Sequence, residues 1–104
     1  MNVIIEGDYL KDLYAGVEVK GKPKFGEDII RGFRKKVALM KNASNSNDLR
    51  NLKSLHFEKL SGNLNGKYSV RINNAYRIIF RMEPDGNNVR VEIIFIEDLS
   101  NHYS

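Results

Sequence analysis

The spacing of apolar residues divides the chain into a helical first half and a strand-rich second half. Val3, Ile4 and Ile5 predict a short opening strand, after which Asp8 is placed to cap a first helix. A second helix is predicted from about Glu27, where two acidic residues open it favourably for the helix dipole. The apolar positions that follow a helical period are Tyr9, Leu10, Leu13, Tyr14 and Val17 in the first helix and Ile29, Ile30, Phe33, Val37 and Met40 in the second.

Two polar segments flank the second helix. Residues 16–26 contain three glycines and a proline among three lysines, which predicts an exposed basic loop. Residues 42–47 form a polar break, and Asp48 after them is placed to cap a short helical turn through Leu49, Leu52 and Leu55.

From Lys67 onward the apolar period changes to two, which is typical of strands with one buried face. Tyr68, Val70 and Ile72 alternate with polar or basic residues, and the next strand carries Arg77, Ile79 and Arg81 opposite Tyr76, Ile78, Phe80 and Met82. Residues 84–87 predict a turn into a last strand over 89–96. Since alternation favours antiparallel pairing, the predicted fold is α+β, with two N-terminal helices packed on a small antiparallel β-sheet in one domain, 1–104.

Positive charge is concentrated in the strand-rich half. From Lys59 to Arg81 there are five cations and no Asp or Glu, which predicts a positive field regardless of how the rest of the chain folds. With a formal net charge of +4, the chain favours nucleic acid, an acidic protein partner, or both.

Composition also argues against several kinds of chemistry. The absence of cysteine removes disulfides, thiolate nucleophiles and Cys-based zinc sites, and the two histidines are widely spaced. We therefore expect no metal and no cofactor. The longest apolar run, 93–96, is far shorter than the ~20 residues of a membrane span, and the N-terminus lacks the features of a signal peptide. A cytoplasmic location is expected.

A longer pattern in the second half points to a known family. It reads Leu60-x-Gly62-x-x-x-Gly66-x-Tyr68-Ser69-Val70-x-Ile72-Asn73, then Tyr76-Arg77-Ile78-Ile79-Phe80, then Val91-Glu92-Ile93-Ile94. It resembles the HigB toxins, or plasmid maintenance killer proteins, of the RelE/ParE superfamily. The resemblance implies an α+β toxin, encoded beside a helix-turn-helix antitoxin of the HigA type, that cleaves messenger RNA in the ribosomal A site. It also implies that cleavage uses the 2′-hydroxyl of the RNA and no metal.

The resemblance also assigns roles to individual residues. Arg77 matches the phosphate-stabilising arginine of the family, and Arg71 and Asn73 lie on the strand where other members carry a second arginine. Aligned on Gly62, the family's His and Lys positions hold Glu58 and Ser61, whereas His56 and Lys59 keep the His-to-Lys separation two residues earlier. The candidate catalytic residues are Arg77, Arg71, His56, His102 and Tyr103, and the candidate RNA-binding residues are Lys59, Lys67, Asn73 and Arg81.

Less specific interpretations remain open at several of these positions. The strand arginines fit a solvated or ion-paired exposed face, with Arg81 pairing to Glu83 or Glu92. His56 fits a partly buried, hydrogen-bonded histidine as well as a general base. The altered His and Lys positions motivate a second function, a toxin-family protein that binds without cleaving, either as a co-repressor with its antitoxin or as a gyrase inhibitor.

Overall fold

The computed structural model describes residues 1–17, 24–86 and 88–101, without the side chains of residues 88–90. The predicted basic loop therefore lies partly, and the hairpin residue Asn87 wholly, outside the described residues. The elements are β1 (Asn2–Ile5), α1 (Asp8–Ala15), α2 (Glu27–Asn42), α3 (Ser46–Asn51), β2 (Glu58–Lys59), β3 (Tyr68–Arg71), β4 (Arg77–Asp85) and β5 (Asn88–Ser100), with 3₁₀ turns at Lys53–Leu55 and Gly62–Leu64.

The strands form one five-stranded sheet in the order β1-β5-β4-β3-β2. Strands β2 to β5 pair antiparallel, as predicted, but β1 pairs parallel to β5, so the sheet is mixed. Alternation along β1 places Val3 and Ile5 on one face and Ile4 on the other whichever way the neighbouring strand runs. For this reason the pattern could not reveal the parallel edge. The α+β class is confirmed.

The helices cover one face of this sheet. Phe33, Val37 and Met40 of α2 are fully buried, and they join a cluster with residues from α1, α3 and four strands. The buried strand residues of this cluster are Ile5, Val70, Ile78, Phe80, Ile94, Ile96 and Leu99. Among the helical positions predicted to be apolar, Tyr9, Tyr14 and Ile30 are half-buried and Val17 is exposed. The opposite face of the sheet carries the alternate side chains, which include Ser69 and Arg77.

The predicted helix caps are wrong at both aspartates. Gly7, with φ 86°, occupies the cap of α1, and Asp8 is the first helical residue. At α3 the cap is Asn45, whose Oδ1 accepts from the backbone N–H of Asp48 at 3.0 Å. The Asp48 carboxylate accepts in turn from Ser44 N at 2.9 Å, so it acts from the third helical position, much as in a capping box.

None of the helices in the described ranges combines the length and apolar character needed to cross a membrane.

Candidate functional site

Arg77, the first residue of β4, forms the centre of a polar cluster on the face opposite the helices. Its Nη1 donates to Ser69 Oγ at 3.0 Å and lies 2.7 Å from Glu58 Oε2. The prediction that Arg77 lies on an exposed face is wrong, because only 8% of its side chain is exposed. The guanidinium lies across β3, where the small side chain of Ser69 leaves room for it, and reaches the carboxylate on β2.

Arg71 faces Arg77 directly across the β3–β4 ladder. Like charges in this position destabilise a sheet unless an anion compensates them. Among the described residues, the ion pairs of these two arginines include one carboxylate, that of Glu58. The half-buried Arg71 and the buried Arg77 therefore leave an excess positive charge that suits a phosphate, which the planar guanidinium group binds through two oxygens.

The turn between β3 and β4 fixes the spacing of the two arginines. The side-chain oxygen of Asn73 accepts from the backbone N–H groups of Ala75 and Tyr76, both at 2.8 Å. Ile72 N donates to Tyr76 O at 2.9 Å and closes the same turn. Asn73 thus has a structural task at the end of the site, and its contact with RNA stays a prediction.

Glu58 is the site residue that sequence reasoning missed. In the sequence it is a departure from the family pattern. In the structure its carboxylate contacts the buried Arg77, although its own side chain is 54% exposed. The feature of the sequence that could have identified Glu58 is its alignment on Gly62, which places an ionisable side chain at the family's histidine position. No local pattern in the sequence indicates that β2 and β4 flank β3, which is the arrangement that brings Glu58 to Arg77.

The two histidines and Tyr103 stay predictions as catalytic groups. His56 ends the 3₁₀ turn before β2 with a left-handed φ of 45°. Its side chain is exposed, so the interpretation of a partly buried histidine is wrong. His102 and Tyr103 lie outside the described residues. Lys59 is exposed on β2, where its contact with RNA is untested.

Arg81 and Lys67 belong to a second cluster on the sheet. Arg81 Nη1 lies 2.6 Å from Glu6 Oε1 and 2.7 Å from Glu97 Oε2, and its Nε lies 3.5 Å from Glu83 Oε1. The predicted pair with Glu83 is confirmed. Lys67 Nζ donates to Glu97, and the Arg81 guanidinium stacks 4.3 Å from the centre of the Phe95 ring.

The ion pairs of both clusters show that the prediction of a positive field regardless of the fold is wrong. Four glutamates from outside the segment 59–81 pair with three of its five cations, because the strands that carry or adjoin these residues belong to one sheet. The hydrogen bonds to Glu6 and Glu97 raise the pKa of Arg81 further above its ordinary value. Burial raises the pKa of Glu97, but hydrogen bonds from Lys67 and Arg81 outweigh it and hold that pKa below its usual value.

In the part of the chain that the structure describes, no group of three or more His, Cys, Asp or Glu is arranged to hold a metal ion. The chemistry that the described site offers is that of a carboxylate beside two guanidinium groups.

Comparisons with known proteins place this site in context. The family model described as a RelE-like toxin of the type II toxin-antitoxin system HigB matches residues 5–97. The chain has no significant match among curated protein sequences.

Several solved structures share the fold. A YoeB/ParE toxin from Agrobacterium tumefaciens is 15% identical with a TM-score of 0.56, over 99% of this chain and 100% of that one. The toxin in a heterotetrameric YoeB-YefM toxin-antitoxin complex from Staphylococcus aureus is 21% identical with a TM-score of 0.55, over 99% and 98%. A YoeB dimer from the same organism is also 21% identical, with a TM-score of 0.51 over the same shares. At these identities the likeness shows the fold alone.

Proposed function

Because the chain belongs to the HigB-like family of RelE-like toxins of type II toxin-antitoxin systems, we propose that it is a ribosome-dependent endoribonuclease that cleaves messenger RNA without a metal ion. It would thereby inhibit translation in the cytoplasm. The observation that supports the activity is the Glu58 carboxylate 2.7 Å from the buried Arg77, with Arg71 directly opposite. A helix-turn-helix antitoxin of the HigA type is the proposed partner, and the YoeB-YefM complex gives an antitoxin-bound example of this fold.

The proposed reaction is an internal phosphoryl transfer within the RNA. Glu58 removes the proton of a 2′-hydroxyl, and the resulting oxyanion attacks the adjacent phosphorus. The new bond joins the 2′-oxygen to phosphorus, and the bond from phosphorus to the 5′-oxygen breaks. The products are a 2′,3′-cyclic phosphate and a 5′-hydroxyl, whose proton comes from a general acid. No water or metal is needed to balance this step.

The two arginines act on the charge that develops during the transfer. Arg77 and Arg71 bind the non-bridging phosphate oxygens, on which negative charge increases in the transition state. Arg77 is already held in place by Ser69, so little reorganisation is needed when the phosphate arrives. His102, Tyr103 and His56 are the proposed candidates for the general acid. The ribosome supplies the remaining orientation of the messenger.

The test is primer extension on a reporter messenger in a cell-free translation reaction. We expect codon-periodic cuts from the wild-type chain, no cuts from Arg77→Ala, and a 10²- to 10⁴-fold slower rate from Glu58→Gln, about the contribution of a general base. Glu83→Gln is the matched control, because Glu83 is equally exposed and also pairs with an arginine. That control is expected to cut at the wild-type rate. Circular dichroism of each variant would establish that it is folded.

Two results would contradict the proposal. Glu58→Gln cutting at the wild-type rate would remove Glu58 from the base role. Folded wild-type protein that leaves the messenger intact would exclude the nuclease, and inhibition of DNA supercoiling by that protein would identify the gyrase inhibitor instead.

A further inference from the structure

Strand β2, which carries the proposed base Glu58, has little ladder of its own. Its two residues pair with two residues of β3, and it lies at an edge of the sheet, so that one of its sides is paired. One more backbone hydrogen bond, from Leu60 N to Lys67 O at 2.9 Å, follows the strand. Strands of globular proteins are usually about 3–10 residues long. The position of Glu58 therefore depends on contacts other than the ladder.

Phe57, the residue directly before Glu58, provides such a contact on the sheet face that the helices cover. The centre of its ring lies 5.3 Å from that of Tyr68 and 6.0 Å from that of Phe80. The rings of Tyr68 and Phe80 are 5.9 Å apart, so the three rings form one aromatic cluster on β3 and β4. Phe80 is fully buried, and Phe57 packs against the hydrophobic core. Aromatic rings at these separations attract each other in addition to burying apolar surface.

Arg50 contacts the same ring from α3. Its guanidinium carbon lies 5.1 Å from the centre of the Phe57 ring, within the distance of a cation–π contact. The salt bridges within the described ranges include none of Arg50, so no carboxylate there draws its guanidinium away from the ring. Phe57 is thus held both by the rings of the sheet and by a side chain of a helix.

The position of Phe57 fixes the direction of the next side chain. Consecutive side chains of an extended chain point to opposite faces, so a Phe57 ring held on the helix-covered face directs Glu58 to the other face. There the Glu58 carboxylate lies 2.7 Å from Arg77 Nη1. The arginines on that face need no such support, since Arg77 and Arg71 belong to a four-residue ladder between β3 and β4.

We propose that Phe57 and Arg50 are positioning residues of the cleavage reaction, which hold β2 so that the Glu58 carboxylate faces Arg77. Both act from the helix-covered face, on the other side of the sheet from the reacting phosphate. Loss of this anchor therefore displaces the base and leaves the two phosphate-binding arginines in place. The inference rests on the proposed function for the chemistry of Glu58, whereas the anchoring of β2 rests on the contacts alone.

The kinetic test compares three variants in cleavage of a reporter messenger on ribosomes. Phe57→Ala is expected to lower kcat by about 10- to 100-fold and to change KM by less than about twofold, because the base is displaced and phosphate binding is kept. Phe57→Tyr retains the ring and is expected to cut nearly as fast as the wild-type chain. Arg50→Lys retains the charge but loses the planar group, for which a kcat about 2- to 5-fold lower is expected.

Hydrogen exchange of the Leu60 amide measures the docking of β2 independently of cleavage, because this amide donates to Lys67 O. Phe57→Ala is expected to speed its exchange by about tenfold or more, and Phe57→Tyr to leave it unchanged. Val37→Ala is the control for lost stability, since Val37 is a fully buried residue of α2. Urea unfolding should show that Val37→Ala is destabilised, while its kcat and its local exchange at Leu60 stay at wild-type values.

The outcomes separate this inference from the proposed function. If Phe57→Ala kept the Leu60 protection and the kcat of the control, the positioning role would be refuted even in a chain that cleaves messenger. A rise in KM at constant kcat would also refute it, because the anchor would then serve RNA binding. If the parent chain cut no messenger and Phe57→Ala still exposed the Leu60 amide, the proposed function would fail and the anchoring of β2 would stand.

Discussion

Ser69 shows how one small residue decides the geometry of the site. It lies on β3, with Glu58 as its Cα partner on β2 and Ile79 as its partner on β4. Neighbouring strands are ~4.8 Å apart, so Arg77 must extend over β3 to reach the carboxylate on the far strand. The fully buried Ser69 leaves space for that passage and offers an oxygen acceptor halfway along it. Both its size and its hydroxyl contribute to holding Arg77.

We therefore predict graded effects of substitution at this position. Ser69→Ala keeps the space and loses one hydrogen bond, so kcat is expected to fall by roughly 3- to 10-fold with KM little changed. Ser69→Val fills the space and displaces the guanidinium, for which a loss of about 10²-fold is expected. Steady-state cleavage kinetics would measure both. Ser69→Thr distinguishes the causes, because activity equal to Val points to size and activity above Val points to the hydroxyl. A fully active Ser69→Val would contradict the positioning role.

At the scale of elements, α2 supports the end of β3 through a contact that only glycine permits. A Cβ on Gly32 would lie 2.6 Å from Cγ2 of Ile72, the residue between Arg71 and the Asn73 turn. A glycine inside a helix ordinarily costs ~1 kcal/mol relative to alanine. Here the close packing of α2 on Ile72 offsets that cost. The helix thereby fixes the strand end that presents Arg71.

Gly32→Ala is accordingly expected to destabilise the fold by about 1–3 kcal/mol, although the same change at an exposed helical site would stabilise it. Urea unfolding would measure the difference in the free energy of unfolding. The matched test is a double-mutant cycle with Ile72→Ala, which removes the clashing methyl group and should recover part of the loss. Additive effects of the two substitutions would show that the steric contact does not exist.

At the scale of the whole molecule, ion pairs between residues far apart in the sequence join the strands of the sheet. Arg81 of β4 binds Glu6 directly after β1 and Glu97 of β5, while Lys67 before β3 binds the same Glu97. The N-terminal ammonium donates to Lys41 O at 2.9 Å, which joins β1 to the end of α2. The parallel edge strand is therefore held by ionic contacts in addition to its four-residue ladder.

This network predicts acid sensitivity. The pKa of Glu97 is lowered in the folded chain, so its contribution to stability is complete above the ordinary pKa of a glutamate and is lost as the pH falls through the lowered value. Urea unfolding at pH 7 and at pH 3 is expected to show lower stability in acid. Glu97→Gln should cost about 2 kcal/mol at pH 7 and reduce the difference between the two pH values. An unchanged difference in Glu97→Gln would assign the acid sensitivity to other carboxylates.

Much of the fold was predictable because periodicity reports local structure. The helical spacing of Ile29, Phe33, Val37 and Met40 predicted α2 and its buried side, and the alternation around Val70 and Ile78 predicted the antiparallel strands. The cap positions were harder to predict, because each aspartate has another residue with cap preference close to it. Gly7 directly precedes Asp8, and Asn45 lies three residues before Asp48. The apolar pattern of β1 does not indicate its parallel pairing, since side chains alternate between the two faces of a strand in parallel and antiparallel sheets alike.

The sequence by itself determined the kinds of element, their order, the buried sides and the place of Arg77 in a family motif. These depend on residues close together along the chain. The tertiary structure decided which charges meet: it brought Glu58 to Arg77 across β3, and Glu6 and Glu97 to Arg81. Electrostatic interaction depends on distance in space, whereas a charge count along the chain records only order. For that reason the five cations of residues 59–81 suggest an open positive surface, whereas in the folded chain three of them pair with glutamates.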